Sequence, residues 1–210
     1  MRHTRALYLD LELTCWEGPA PEDQLSEIIQ IGIVEVDTLK LEITRKAMRY
    51  VRPLKSKVSE YCTELTGITP RQVTKQGEPL FHVLNSITNE FGPKNKTCFA
   101  WGDDGDCIAR ELATLGKEHS FNFVNLGQLF TLTMGIKRAV SVEDALKIMG
   151  LIFTGRPHDA LVDAENTALL HIAMMRRMRT ATISEVQPSR PCGNCGWCLD
   201  CLREERNRPY

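Results

Sequence analysis

The chain has 210 residues, 42% of them hydrophobic, with 26 basic and 27 acidic side chains and a formal net charge of −1. That length and apolar content suit one substantial core with a small appendage. The balanced charge excludes capture of a polyanion by a global positive field, so a nucleic acid must be held by a local patch or by bound cations. No stretch approaches the roughly 18 consecutive apolar residues of a membrane-spanning helix. The start, MRHTRALYLDLEL, shows no small-residue cleavage pattern, so the expectation is a cytoplasmic protein.

From Ala6 to Leu13 the chain alternates strictly, Leu7, Leu9, Leu11 and Leu13 against Ala6, Tyr8, Asp10 and Glu12, which predicts a strand with one apolar face. Residues 14–26 read as a loop, Ile28 to Val36 as a second strand and Leu41 to Val51 as a third. The short connection over residues 37–40 suggests an antiparallel meander. Residues 58–66 and 79–91 read as helices ended by Gly67 and Gly92, and Thr97 to Trp101 as a buried strand. Ile108, Leu112 and Leu115 mark an amphipathic helix closed by Gly116. Residues 121–134, 141–149 and 159–179 suggest three more helices. The order describes a mixed α/β domain over residues 1–183.

From residue 184 the pattern changes to prolines, cysteines and polar residues. Cys15, Cys62, Cys98 and Cys107 are scattered, while Cys192, Cys195, Cys198 and Cys201 crowd into ten residues. This asymmetry argues against a disulfide framework. Four thiols is the number that closes a structural Zn²⁺ site, although uniform three-residue steps also suit iron–sulfur ligation. Residues 184–210 are therefore expected to form a metal-binding tail, with zinc preferred and a protein partner allowed.

Three acidic groupings carry the chemical signal. Asp10 and Glu12 lie two apart on a strand, so both carboxylates point the same way and repel unless a cation lies between them. Hard divalent ions such as Mg²⁺ take oxygen ligands and keep positions open for water and phosphate, the requirement of phosphodiester hydrolysis by two ions roughly 3.5–4 Å apart. Asp103, Asp104 and Asp106 open a helix, where the macrodipole by itself accounts for some of them. In Gly155-Arg156-Pro157-His158-Asp159, a loop delivers a histidine before a helix that carries Asp163, and Asp159 is a plausible N-cap.

These residues resemble the DEDDh exonucleases of the RNase T and proofreading-exonuclease superfamily, over most of residues 5–180. The likeness rests on Tyr8-Leu9-Asp10-Leu11-Glu12, a central aspartate and His158-x4-Asp163. Tyr50-Val51-Arg52-Pro53, Leu65-Thr66-Gly67-Ile68-Thr69 and Gly155-Arg156-Pro157-His158 sharpen it toward the histone-mRNA and RNA-interference 3′ exonucleases. The resemblance implies a ribonuclease H-like sheet, a three-strand antiparallel meander plus parallel strands flanked by helices. It implies Asp10, Glu12, a central aspartate and Asp163 as ligands of two Mg²⁺ or Mn²⁺ ions, and His158 as the general base. That role suits a side chain type that titrates near neutrality.

In the family the central ligand stands four residues after the Trp of a Trp-Gly pair, but that position here is Gly105. The family's ligand precedes apolar helix positions four, eight and eleven residues on; from Asp104 these are Ile108, Leu112 and Leu115. Asp104 is preferred, with Asp106 next and Asp103 behind. Leu13, Thr14 and Trp16 follow the metal-binding strand, where a terminal nucleotide is expected to stack. The expected substrate is the 3′ end of a single strand, RNA before DNA, released as 5′-mononucleotides. The competing reading is a catalytically idle exonuclease-fold module that binds RNA or protein. A histidine-aspartate phosphohydrolase is disfavoured, because His82, His119 and His171 fall in no helpful pattern.

Overall fold

The computed structural model describes residues 4–185. Its strands are β1 (Arg5–Leu13), β2 (Ile28–Asp37), β3 (Glu42–Tyr50), β4 (Thr97–Ala100) and β5 (Asn122–Asn125). They form one mixed sheet in the order β3-β2-β1-β4-β5. The first three make the expected antiparallel meander, while β4 and β5 run parallel to β1. The helices are α1 (Glu60–Thr66), α2 (Pro70–Gln76), α3 (Leu80–Phe91), α4 (Asp104–Ala113), α5 (Leu126–Met134), α6 (Val142–Ile148) and α7 (Ala160–Glu185). None in the described residues is long and apolar enough to cross a membrane.

The alternation in β1 sorts its residues as read, but both of its faces are buried. Leu7, Leu9 and Leu11 join Ile31 and Ile33 of β2 under Val83, Leu84 and Ile87 of α3 and Ile108 and Leu112 of α4. On the opposite face Tyr8 is fully buried and its hydroxyl meets Nδ1 of His171, on α7, at 2.9 Å. The single apolar face is thus corrected: a tyrosine tolerates burial when its hydroxyl has a partner, and that partner is 163 residues away.

Two further differences have local causes. Residues 121–134, expected as one helix, divide into β5 and α5, with Asn125 as N-cap accepting from the Gln128 N–H. A four-residue parallel strand is too short to display a period of two, and β4 alone pairs with it. The helix α2 was not anticipated, yet its capping box is complete: Thr69 accepts from Gln72 N–H while the Gln72 side chain accepts from Thr69 N–H.

The chain separates into two compact units, residues 1–174 and 175–210. The first holds the sheet and α1 to α6. In the second, the described residues continue α7, where Thr180 Oγ1 donates to the Arg176 carbonyl at 2.9 Å. The cysteine tail, with Cys192, Cys195, Cys198 and Cys201, lies outside the described residues, as do residues 1–3.

Candidate active site

The pairing of β1 with β4 covers only Ala6 to Tyr8. Beyond Tyr8 no strand of the described residues lies along that edge of β1, so Asp10 and Glu12 stand where the sheet opens. In open α/β sheets this is where ligands bind, beyond the carboxyl ends of strands at the point where the strand order reverses. Asp10 pairs across β2 with Gly32, and Glu12 with Gln30. Both partners receive α7. A Cβ on Gly32 would lie 2.1 Å from the Ala160 carbonyl oxygen, so any larger residue lifts the helix start off the sheet. Gln30, almost fully buried, accepts from Ala160 N–H through Oε1 at 2.9 Å.

From the other side, the turn after β4 is fixed by Trp101, whose Nε1 donates to the Val140 carbonyl at 2.9 Å. This brings the first residue of α4, Asp104, against the end of β1. Burial raises the Asp104 pKa to about 6, although backbone N–H groups of Asp104 itself, Gly102 and Leu11 act in the opposite sense. Of the neighbouring charges raising Asp10, that of Asp104 is the largest. Asp103 instead holds the N-cap position of α4, and its Oδ1 accepts from Asn125 Nδ2 at 3.1 Å. Asp106 is exposed and is not among the charges acting on Asp10 or Glu12. Position 105, where the family spacing would put the ligand, faces away: a Cβ on Gly105 would lie 2.7 Å from the Phe123 ring.

The loop before α7 supplies the remaining groups. Asn166, buried, holds the loop start by donating to the Thr154 carbonyl at 2.9 Å and accepting from Thr154 N–H at 3.1 Å. Asp159 caps α7 as expected, with Oδ1 accepting from Leu161 N–H at 3.0 Å and Val162 N–H at 3.3 Å. Between these anchors His158 takes a φ of 62°. For a residue with a Cβ that region costs of order 1–3 kcal/mol and persists where the surroundings over-determine it. The His158 N–H donates to Asp163 Oδ2 at 2.9 Å. Ligand atoms of Glu12, His158 and Asp163 all lie within 4.8 Å of one another.

Burial and like charge dominate the electrostatics of this cluster. Burial, then the charges of Asp104, Asp163, Glu12 and Asp159, pushes Asp10 well above the usual carboxylate range. Burial, then Asp163, Asp159 and Asp104, raises Glu12 to about 8. Asp163 is also raised, by burial first, although His158 acts in the opposite sense. Another buried acid on the same sheet shows the contrast. Burial would raise Glu35 too, but hydrogen bonds from Arg45, Lys96 and Thr44 outweigh it and hold the group at about 2, with Arg5 also paired at 3.0 Å. Among the described residues no lysine or arginine forms an ion pair with Asp10, Glu12, Asp104 or Asp163. Four converging carboxylate groups without a side-chain cation suit hard divalent ions, which take oxygen donors.

The RNase T exonuclease profile matches residues 7–171 of this chain. The chain belongs to the RNase T exonuclease family. The 3′-5′ exoribonuclease 1 of Rattus norvegicus is 32% identical over 182 residues, which cover 80% of this chain and 52% of that protein. The 3′-5′ exonuclease Snipper of Drosophila melanogaster is 30% identical over 199 residues, 83% of this chain and 70% of that protein. The chain spans about half the length of the rat and mouse exoribonucleases that it matches. Among solved structures, the nuclease domain of 3′hExo, a DEDDh family member bound to rAMP, superposes with a TM-score of 0.75 at 25% identity. That match covers 84% of this chain and 94% of that one.

In this member of the family Glu12, His158 and Asp163 are brought together, Asp10 and Asp104 join them through their mutual charges, and Asp103 and Asp106 are not among the charges acting on Asp10 or Glu12. Leu13 is partly buried against the core and Trp16 is partly exposed. Thr14 is fully buried, its hydroxyl donating to the Leu25 carbonyl at 3.0 Å and accepting from Glu27 N–H at 2.9 Å. Its side chain therefore braces the 25–27 loop and offers no free hydroxyl to a ligand. Gln30 and Asn166 escaped the sequence reading although they seat the helix and loop of the site. A buried amide leaves no periodic signal, because only its distant backbone partner makes it tolerable.

Proposed function

We propose that this chain is a metal-dependent 3′→5′ exonuclease that hydrolyses terminal phosphodiesters of single-stranded nucleic acid, RNA before DNA, releasing 5′-mononucleotides. The observation that carries this reading is the convergence of four carboxylates without a lysine or arginine ion pair, and an exposed histidine, at the open end of β1. The names of the relatives as exoribonucleases and the rAMP in the solved nuclease domain support RNA. Asp10, Glu12, Asp104 and Asp163 would hold two Mg²⁺ or Mn²⁺ ions, which supply charge neutralisation at the reacting phosphate. His158, on its exposed loop, accepts the proton of the attacking water. Leu13 and Trp16 offer apolar surface to the terminal base, with Thr14 supporting that wall from behind.

The test is release of 5′-mononucleotides from end-labelled single-stranded RNA with Mg²⁺ or Mn²⁺, compared with matched single-stranded DNA and duplexes. Asp10→Ala and His158→Ala are each expected to lower the rate by about 10³-fold or more. Metal-dependent release that survives both changes would overturn the assignment, and an inert wild-type chain would favour the binding-module reading.

The proposal extends to a cytoplasmic protein whose residues 184–210 form a separate tail. There Cys192, Cys195, Cys198 and Cys201 bind one Zn²⁺ and present a surface for a protein partner. Elemental analysis of the full chain is expected to give about one zinc per chain, lost when Cys195 and Cys198 are both changed to Ser. Iron instead of zinc would redirect the reading to a cluster.

A further inference from the structure

We propose that Arg156 is a positioning residue that sets the His158 loop by locking it to α1, an inference that rests on the exonuclease reading above. Its Nη2 donates to the carbonyl oxygens of Glu64 at 2.9 Å and Leu65 at 3.3 Å, more than 90 residues earlier in the chain. These carbonyls belong to the last turn of α1, which carries no basic residue of its own. The guanidinium thus meets the negative end of that helix.

Gly67 makes the seat available. It closes α1 in the left-handed region, at φ 77°, and a Cβ there would lie 2.2 Å from Arg156 Nη1. Glycine is the residue that satisfies both the backbone angle and the vacancy.

The other contacts of α1 show what the lock joins. Ser59 Oγ, at the N-cap, donates to the Cys15 carbonyl at 2.6 Å, and Cys62 Sγ donates to the Leu13 carbonyl at 3.5 Å. The helix is thereby bonded both to the segment following Glu12 and, through Arg156, to the loop carrying His158. Only Pro157 separates Arg156 from His158, whose imidazole is exposed, whose backbone has positive φ and whose N–H has Asp163 as its partner. Removing the Arg156 contacts frees the loop on the side away from α7, and His158 no longer faces Glu12 and Asp163 in one arrangement.

The test uses the full chain with Arg156→Ala, Arg156→Lys and Gly67→Ala, the last displacing the guanidinium without deleting it. For Arg156→Ala, kcat on single-stranded RNA is expected to fall by about 30-fold with KM within about threefold, as for a group that orients catalysis without gripping substrate. Arg156→Lys is expected to restore about a third of the activity, because one ammonium still reaches a carbonyl. Amide hydrogen exchange of metal-free protein gives a readout independent of catalysis: the His158 N–H is expected to exchange at least about 10-fold faster in Arg156→Ala and Gly67→Ala. Unchanged exchange with unchanged kcat overturns the proposal. So does a raised KM with normal kcat, which would make Arg156 a contact to substrate phosphate. An inert wild-type chain whose His158 exchange still accelerates in the variants would sink the exonuclease reading and leave the positioning role standing.

Discussion

Asp104→Asn is expected to lower kcat for single-stranded RNA by about 10³-fold, about 4 kcal/mol of transition-state stabilisation, while Asp106→Asn stays within about threefold. The two residues lie in the same first turn of α4, so helix propensity and macrodipole are nearly matched between the variants. What separates them is direction. Asp104 is half-buried at the end of β1, where it raises both Asp10 and Glu12, whereas Asp106 is exposed. Asparagine keeps the size of the side chain and removes the charge that a divalent ion needs. Asp103→Asn provides an intermediate control, because Asp103 accepts from Asn125 Nδ2 and its change disturbs the turn rather than the cluster. An effect within about tenfold is expected there. Steady-state rates in saturating Mg²⁺ measure all three, and equal losses for Asp104→Asn and Asp106→Asn would remove Asp104 from the site.

Glu12→Gln is expected to make the metal-free chain more stable at pH 8 even as it removes activity. The folded-state pKa of Glu12 is raised from 4.5 to about 8, by burial first and then by Asp163, Asp159 and Asp104. Below the unfolded value the group is protonated in both states and costs nothing. As pH rises from there toward 8, the unfolded chain gives up the proton while the folded chain retains it, so folding stability is lost across that window. Glutamine is neutral throughout, and the gain in Tm therefore grows with pH and vanishes near pH 4. At pH 8 the expected size is on the order of 2–4 kcal/mol, or about 5–10 °C for a chain of this length. Saturating Mg²⁺ reverses the order, because an ion that binds the folded state stabilises the wild type more. Thermal melts in EDTA and in Mg²⁺ at pH 5 and pH 8 measure this. A Tm difference that does not change with pH would show that the carboxylates are neutralised within the chain itself.

Both expectations follow from one contrast within the sheet. Glu35 is as buried as any acid in the molecule, yet Arg5, Arg45 and Lys96 surround it, and it reads as a structural anchor. Among the described residues no lysine or arginine pairs with the four site carboxylates. Burying charge without a partner is unfavourable, and its persistence at the open end of β1 is understandable where the partner is an ion from solution. On the proposed reading, stability is given up there for function, a pattern familiar at active sites.

Much of this was legible before any coordinates. The alternation over Ala6 to Leu13 placed Asp10 and Glu12 on one face, and Gly67 and Gly92 ended their helices where the pattern stopped. Asp159 capped the helix that carries Asp163. These features are local: a period of two or a capping residue acts between groups a few positions apart, so the sequence alone determined the meander and most helices, and the motifs at Asp10, Glu12, His158 and Asp163 were enough to name them as candidates. Helix register favoured Asp104 as the fifth, and the tertiary structure shows what sets it apart from its neighbours. Asp103, Asp104 and Asp106 differ little in local chemistry, and only the docking of α4 against β1 and of Gly105 against Phe123 turns Asp104 inward. The same reason applies to β5, to the burial of Tyr8 under His171 and to the seat of Arg156 behind Gly67. Each depends on which distant surface is opposite, and that information resides in the packing of the chain on itself, not in the spacing of its neighbours.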